Sequence, residues 1–126
     1  MKIGSINENL NSERRVAITP EIAKKFIENG FEINLQKDYA KHLGFVDNDY
    51  TSLNVKLFET EKSVIDNSDI LVQLNLPEKS IIEDISNNKI IVGILNPYQN
   101  KDSLSRLISK KVNCFSIELL KKITRA

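Results

Sequence analysis

The sequence predicts a doubly wound α/β domain: a parallel sheet of the flavodoxin or Rossmann-like type, with helices on both faces in three layers. One observation is the alternation of short runs rich in β-branched residues with helix-like segments, repeated about five times along 126 residues. The other is the composition, 40% hydrophobic and 28% charged, which is ordinary for one globular domain with its own core.

The first three elements follow from local signals. Residues 2–6 predict a strand, and residues 31–36 alternate in polarity like a second one. Between them, Thr19 suits a helix N-cap, Pro20 the first helical position and Gly30 the C-terminal stop. The helix has an apolar stripe at helical spacing, formed by Ile22, Ala23, Phe26 and Ile27.

The middle of the chain is less regular. Residues 45–54 predict a short helix capped by Asp47, residues 55–58 a short strand, and residues 59–67 another short helix. Residues 69–77 predict a buried strand that ends at a proline.

The C-terminal third repeats the alternation more clearly. Residues 78–86 predict a helix, and residues 89–95 are the most apolar strand of the chain. Residues 101–111 predict an amphipathic helix, and residues 112–117 the last strand. The residues of that helix expected to face inward are Leu104, Leu107 and Ile108.

Ligands of doubly wound sheets bind at the carboxyl ends of the strands, so the loops that follow the strands hold the candidate site residues. These loops are residues 7–15, 75–77, 96–100 and 117–125. The amides in them, which can donate and accept hydrogen bonds, are candidates for binding a ligand, although they are equally routine in turns. The amide candidates are Asn75, Asn96 and Gln99.

Arg15 is the charged candidate. An arginine behind a first strand can hold a carboxylate or phosphate with two parallel hydrogen bonds. The alternative is an arginine that is solvated or paired with Glu13.

Several classes of function lack their usual residues. The chain has no G-x-G-x-x-G or Walker pattern and four glycines in all, so the usual cradle for a pyrophosphate is missing. A net charge of +1 provides no field for nucleic acid. One histidine, His42, and one cysteine, Cys114, make a zinc site improbable, and Cys114 fits a small buried hydrophobe. No apolar run of membrane-spanning length and no signal-peptide pattern occurs.

The motif "RVAITP" at residues 15–20 matches, residue for residue, the Arg-Val-Ala-x-Thr-Pro motif that follows the first strand in one family. The sequence closely resembles the alanine dehydrogenase and nicotinamide nucleotide transhydrogenase family over its whole length, including the F-x-D-x-x-Y pattern at residues 45–50.

Two positions separate the branches of that family. Alanine dehydrogenases have a substrate lysine where this sequence has Asn75, and a histidine at the end of the next strand. Here that strand continues as "NPYQN", from Asn96 through Gln99, which resembles the Pro-x-Gln-Asn of transhydrogenases. Since a pyruvate site needs the lysine charge and the histidine proton carrier, the resemblance implies the transhydrogenase branch. Arg15 is kept in both branches.

The last residues, "KKITRA", resemble the transhydrogenase loop Pro-Arg-Ile-Ser/Thr-Arg-Ala, which reaches the nicotinamide of NAD(H). Lys121 stands at the family's proline, and Lys122 at its first arginine, where a lysine loses the bidentate geometry. The resemblance implies that the cofactor-binding residues are Lys122, Ile123, Thr124 and Arg125.

The resemblance therefore implies that residues 1–126 are the N-terminal domain of the NAD(H)-binding component of a proton-translocating transhydrogenase. Hydride would pass between NAD(H) and NADP(H), with NADP(H) on a partner subunit and no catalytic residue on this chain. The implied partners are its own nucleotide-binding domain, absent here, and the NADP(H)-binding and membrane subunits, in a homodimeric, cytoplasmic protein peripheral to the inner membrane. The alternatives are a fragment of an alanine dehydrogenase-like enzyme and a non-catalytic binding module.

A last expectation concerns the domain surface. In this family a later segment normally returns to finish the first domain, so the chain alone is expected to leave an apolar face uncovered. We expect the chain alone to have no hydride-transfer activity.

Overall fold

The computed structural model describes residues 1–11, 13–86, 88–93 and 100–116, and the strands of this region form one parallel sheet. The strands are β1 (Lys2–Ser5), β2 (Glu32–Gln36), β3 (Lys56–Phe58), β4 (Ile70–Gln73), β5 (Ile90–Gly93) and β6 (Asn113–Ser116). The helices are α1 (Pro20–Glu28), α2 (Asp47–Thr51), α3 (Glu61–Asp66), α4 (Lys79–Glu83) and α5 (Lys101–Ser109), with a 3₁₀ turn at Lys41–Leu43.

The strand order is β3-β2-β1-β4-β5-β6, which is the order of the Rossmann type rather than that of flavodoxin. The predicted doubly wound fold is confirmed. The order reverses between β1 and β4, whose pairing sets Ile3 beside Ile70 and Gly4 beside Leu71. Ligand sites of such sheets lie at this switch point, beyond the carboxyl ends of the two strands.

Two apolar cores lie on opposite faces of the sheet. Ala23 of α1 and Tyr50 of α2 pack into the first core, together with Ile33 and Leu35 of β2. The second core contains residues of α3, α4 and α5, among them Val64, Ile82 and Leu107. The two faces follow from the direction of the crossovers, because right-handed connections on either side of β1 put their helices on opposite faces.

Helix α1 begins and ends where its caps predict. The Thr19 hydroxyl accepts a hydrogen bond from Ile22 N at 3.3 Å, Pro20 is the first helical residue, and Gly30 has a φ of 92°. The prediction that Asp47 caps α2 is wrong. Val46 occupies the N-cap position, and Asp49 accepts from Val46 N at 2.9 Å.

The prediction for α5 is partly wrong. Leu107 is fully buried and Leu104 packs against the same core, but the side chain of Ile108 is 65% exposed. The helix contacts β6 and α4 along a narrow stripe, which leaves Ile108 beyond its edge.

The face of the sheet on the α1 side carries an apolar strip along β5 and β6. Ile90 and Val92 are half-buried, and Phe115, which pairs with Val92 in register, is 51% exposed. Their neighbours Ile91 and Cys114 point to the second core, because successive side chains of a strand alternate between faces.

Candidate functional site

A cavity of about 550 Å³ lies at the switch point. One wall is the loop after β1, residues 6–11, and the other is formed by Gln73 and residues 75–78 at the end of β4. Glu61 at the start of α3 and Ile81 of α4 complete the lining.

Glu8 joins the two walls of this cavity. Its carboxylate is 9% exposed and accepts hydrogen bonds from Gln73 Nε2 at 2.9 Å, Leu74 N at 2.8 Å and Asn75 N at 3.3 Å. Burial raises the pKa of Glu8, and the charge of Glu13 adds to this, while the hydrogen bonds from Leu74 and Asn75 oppose it.

Gln73, the last residue of β4, is the buried centre of the site. Its side-chain oxygen accepts from Ile6 N at 2.6 Å and from the Ser5 hydroxyl at 3.0 Å. Its nitrogen donates to Ile6 O at 3.2 Å and to Glu8. The side chain thus uses both of its polar atoms to tie the end of β4 to the end of β1.

Tyr39 extends this network to the Arg-Val-Ala-x-Thr-Pro motif. Its hydroxyl lies 2.8 Å from Ser5 Oγ and accepts from Ala17 N at 3.1 Å and Ile18 N at 3.2 Å. Because it accepts twice, its own proton goes to Ser5. Burial raises the pKa of Tyr39 to about 12, so the hydroxyl stays protonated at neutral pH. Tyr50 completes the clamp by donating to Ile18 O at 2.9 Å.

Arg15 and Asn75, two of the predicted candidates, meet at Glu13. The guanidinium of Arg15 makes two hydrogen bonds of 3.0 Å to the Glu13 carboxylate, and Asn75 Nδ2 donates to the same group at 3.3 Å. Arg15 is largely exposed, whereas 12% of the Glu13 side chain is exposed. The hydrogen bonds from Arg15 lower the pKa of Glu13 to about 2. Of the two alternatives for Arg15, the Glu13-paired arginine is the one found.

The remaining predicted site residues belong to other segments of the chain. Asn96 and Gln99, and the proposed cofactor loop of Lys122, Ile123, Thr124 and Arg125, lie outside the described residues.

Three other expectations concern surface, metal and membrane. His42 is half-exposed, with its Nε2 at 2.7 Å from Arg14 O, and Cys114 is half-buried in an environment that raises the pKa of its thiol. In the described portion of the chain, His, Cys, Asp and Glu nowhere form a group of three that could hold a metal ion. None of the helices in that portion has the length and apolar character needed to cross a bilayer.

Sequence reasoning missed Glu8, Gln73 and Tyr39 as members of the site. Glu8 resembles an ordinary loop acid in the sequence, and the glutamine of an otherwise apolar strand was the available signal for Gln73. No local signal identifies Tyr39, since its contacts with Ser5 and Ala17 arise from the pairing of β1 with β2.

The lining of the cavity limits its chemistry. Its charged residues are the carboxylates Glu8, Glu61 and Glu78, and no lysine, arginine or histidine is among the described residues that line it. The nearest candidate cation, Arg15, is held by Glu13. This wall therefore has hydrogen-bonding amides and negative charge, but lacks a free cation for an anionic substrate and a histidine for proton transfer.

Comparison with known proteins gives a family match. The model of the family described as "Alanine dehydrogenase/PNT, N-terminal domain" matches residues 4–126. The whole chain is 31% identical over 130 residues to an NAD(P) transhydrogenase subunit alpha of Rickettsia prowazekii, and covers 34% of that protein. It is 25% identical over 126 residues to an alanine dehydrogenase of Methanococcus maripaludis, again covering 34% of the relative.

Solved structures show the same fold. The transhydrogenase from Sinorhizobium meliloti matches 94% of this chain with a TM-score of 0.86 and 19% identity, and an L-alanine dehydrogenase matches 92% with a TM-score of 0.85 and 18% identity. The chain covers 35% and 32% of those two chains, so it spans about a third of the length of the proteins that it matches.

Proposed function

We propose, from the premise that this chain belongs to the alanine dehydrogenase/PNT N-terminal domain family, that it forms one wall of the NAD(H) cleft of a proton-translocating transhydrogenase. In the complete assembly hydride passes between NAD(H) and NADP(H), and the cofactors supply that chemistry. The wall contributed by this chain positions groups and excludes water.

One observation carries the choice of branch. Asn75, at the position of the dehydrogenase lysine, donates to Glu13, and Glu13 holds Arg15 by two hydrogen bonds. The site therefore offers an incoming carboxylate no unpaired cation among the described residues, while Glu8 and Glu13 repel it. A site of this charge suits a neutral or cationic group better than a pyruvate or an amino-acid carboxylate.

The described residues do not fit the pyrophosphate of NAD(H), because the cavity is lined by carboxylates and its strand-end loops are not Gly-rich. We assign pyrophosphate binding to a nucleotide-binding domain elsewhere in the full polypeptide. Lys122, Ile123, Thr124 and Arg125 remain the proposed contacts with the cofactor, with Asn96 and Gln99 beside them.

The partners and location follow from the same proposal. The transhydrogenase relatives are named as alpha subunits, which implies further subunits, and we propose an NADP(H)-binding subunit and a membrane subunit as partners. The full protein is then a cytoplasmic homodimer held at the inner membrane by those partners.

The second candidate is an alanine dehydrogenase-like enzyme, favoured by the likeness to alanine dehydrogenases in sequence and fold. The full-length polypeptide distinguishes the two. Hydride transfer from NADH to an NADP analogue, in the presence of the NADP(H)-binding subunit, supports the transhydrogenase. Alanine-dependent reduction of NAD would instead establish the dehydrogenase, and neither activity would favour a non-catalytic binding module.

For the 126-residue chain alone we expect no hydride transfer and weak or no binding of NAD(H). Isothermal titration with NADH measures this directly. Micromolar affinity of the isolated chain would contradict the proposed division of labour, in which the nucleotide is held by another domain.

A further inference from the structure

Three N–H donors converge on one point at the carboxyl end of β4. They are the backbone N–H groups of Leu74 and Asn75 and the side-chain amide of Gln73. Successive backbone N–H groups directed at one position form an anion site, and the switch point of a doubly wound sheet is where such sites bind ligands.

The chain fills this position with its own carboxylate. Glu8 Oε2 accepts from Gln73 and Leu74, and Oε1 accepts from Asn75. The carboxylate is 9% exposed, so the three donors are withdrawn from solvent together with the group they bind. Charge-assisted hydrogen bonds of this kind are about twice as strong as neutral ones.

We propose that Glu8 is a built-in anionic ligand: it occupies the anion position at the end of β4, holds Asn75 in place, and excludes external carboxylates and phosphates from this wall. Glu8 is thus a positioning and specificity-determining residue rather than a catalytic one. The inference deepens the proposed function, on which its biological meaning rests, because it gives a physical reason for this cleft to refuse an anionic substrate.

Two features keep external anions out. Glu8 is tethered three residues beyond β1 and so competes as an intramolecular ligand at high effective concentration. An incoming anion also meets the negative charges of Glu13 behind Asn75 and of Glu61 and Glu78 around the cavity. Among the described residues, the charged groups that surround the position are thus all carboxylates except Arg15, which Glu13 already holds.

Chemical rescue with acetate tests the proposal on the 126-residue chain. Two-dimensional ¹⁵N NMR follows the Leu74 and Asn75 amides of the unsubstituted chain and of Glu8→Ala, at constant ionic strength set with sodium chloride. In Glu8→Ala we expect the exchange protection of these two amides to fall about tenfold or more, as for loss of a hydrogen bond to a charged group. Acetate then shifts both resonances saturably and restores their protection.

Glu78→Ala is the matched control, since Glu78 lines the same cavity as an exposed carboxylate. In this control and in the unsubstituted chain, acetate is expected to leave the Leu74 and Asn75 amides unchanged. A saturable acetate response in the unsubstituted chain would overturn the exclusion of external anions. A folded Glu8→Ala chain without such a response would overturn the anion position itself.

A second variant covers a failure of Glu8→Ala to fold. If acetate restores the fold, the proposal is supported; if it does not, Glu8→Gln decides. Loss of protection confined to the Leu74 and Asn75 amides, with the β2 amides of Ile33 and Leu35 unchanged, supports the positioning role. An equal loss throughout the sheet, or none, contradicts it. NAD(H) takes no part, so the result is independent of the NADH titration.

Discussion

At the scale of single residues, Arg15 acts on a neighbouring carboxylate rather than on a ligand in this structure. Its two hydrogen bonds to Glu13 lower the pKa of that carboxyl to about 2 from an ordinary 4.5. Since the folded value lies below the unfolded one, the pair stabilises the fold above about pH 4.5, and this contribution is lost as the pH falls towards 2.

Replacing Arg15 with methionine should raise the pKa of Glu13 towards 4.5, because hydrogen bonding to Arg15 is the largest cause of its lowering. Carbon NMR of the Glu13 carboxyl measures the change. Arg14→Met is the matched control: it removes an adjacent, exposed arginine and should leave Glu13 unchanged. A Glu13 pKa that stays near 2 in Arg15→Met would contradict the assignment.

Tyr39 should be worth more to stability than Tyr50. Tyr39→Phe leaves the N–H groups of Ala17 and Ile18 without their acceptor, and an unsatisfied buried polar group costs about 1–3 kcal/mol. Tyr50→Phe, the control, removes a single donor to Ile18 O. Urea unfolding compares the two, and an equal or smaller loss for Tyr39→Phe would show that the clamp on this segment is not the source of the stability.

The sequence allowed some members of the site to be predicted at this scale. Arg15 and Asn75 could be selected because they follow strands of a parallel sheet, and they do meet. Glu8 and Gln73 could not be paired in advance, because their contact joins residues 65 positions apart and depends on the register of β1 with β4.

At the scale of elements, β1 packs against α3 with almost no free space. A methyl group at Gly4 would meet Ser68 Oγ at far less than contact distance, Ser68 Cβ at 2.8 Å and Val64 Cγ1 at 3.0 Å. The Ser68 hydroxyl is itself fixed, since it accepts from Asn34 Nδ2 at 3.2 Å and donates to Val64 O at 2.6 Å.

Gly4→Ala should therefore destabilise the chain by about 1–3 kcal/mol, as overpacking of a filled core does. Denaturant unfolding measures the loss. Combining it with Ser68→Gly, which removes two of the clashing atoms, should cost less than the sum of the two single changes. Strict additivity would mean that Ser68 is not the atom group that Gly4 avoids.

The elements themselves were largely predictable, and the errors have local causes. Thr19, Pro20 and Gly30 carry strong terminal signals, and α1 obeys them. Asp47 is a common capping residue, but Asp49 makes the hydrogen bond at that helix start. Ile108 lies on the apolar stripe of α5 in the sequence, yet that helix buries too narrow a face to cover it.

At the scale of the whole molecule, the pattern of strands and helices predicted the doubly wound sheet but not its strand order. The Rossmann and flavodoxin orders use the same alternation and differ in which crossover changes direction. Here β3 connects back across β1 to β4, and this one crossover sets the switch point and hence the place of the cavity.

The apolar strip of Ile90, Val92 and Phe115 should make the chain self-associate. Phe115→Asp puts a charge in the middle of the strip and should shift sedimentation towards the monomer. Ile108→Asp is the control, because Ile108 is comparably exposed on helix α5. A chain that is monomeric before substitution, with the stability of a complete domain, would contradict the expectation that this face is normally covered.

The hydroxyl of Tyr39 also bears on the order in which the chain folds. Its contacts close loops of 21 to 34 residues, within the β1–α1–β2 unit, whereas those of Gln73 with Ile6 and Glu8 close loops of 65 to 67. Shorter loops lose less entropy on closing, so the Arg15–Thr19 side of the cleft can order first and act as a template for the end of β4. Tyr39→Phe should then slow folding, and a change confined to the unfolding rate would exclude this sequence of events.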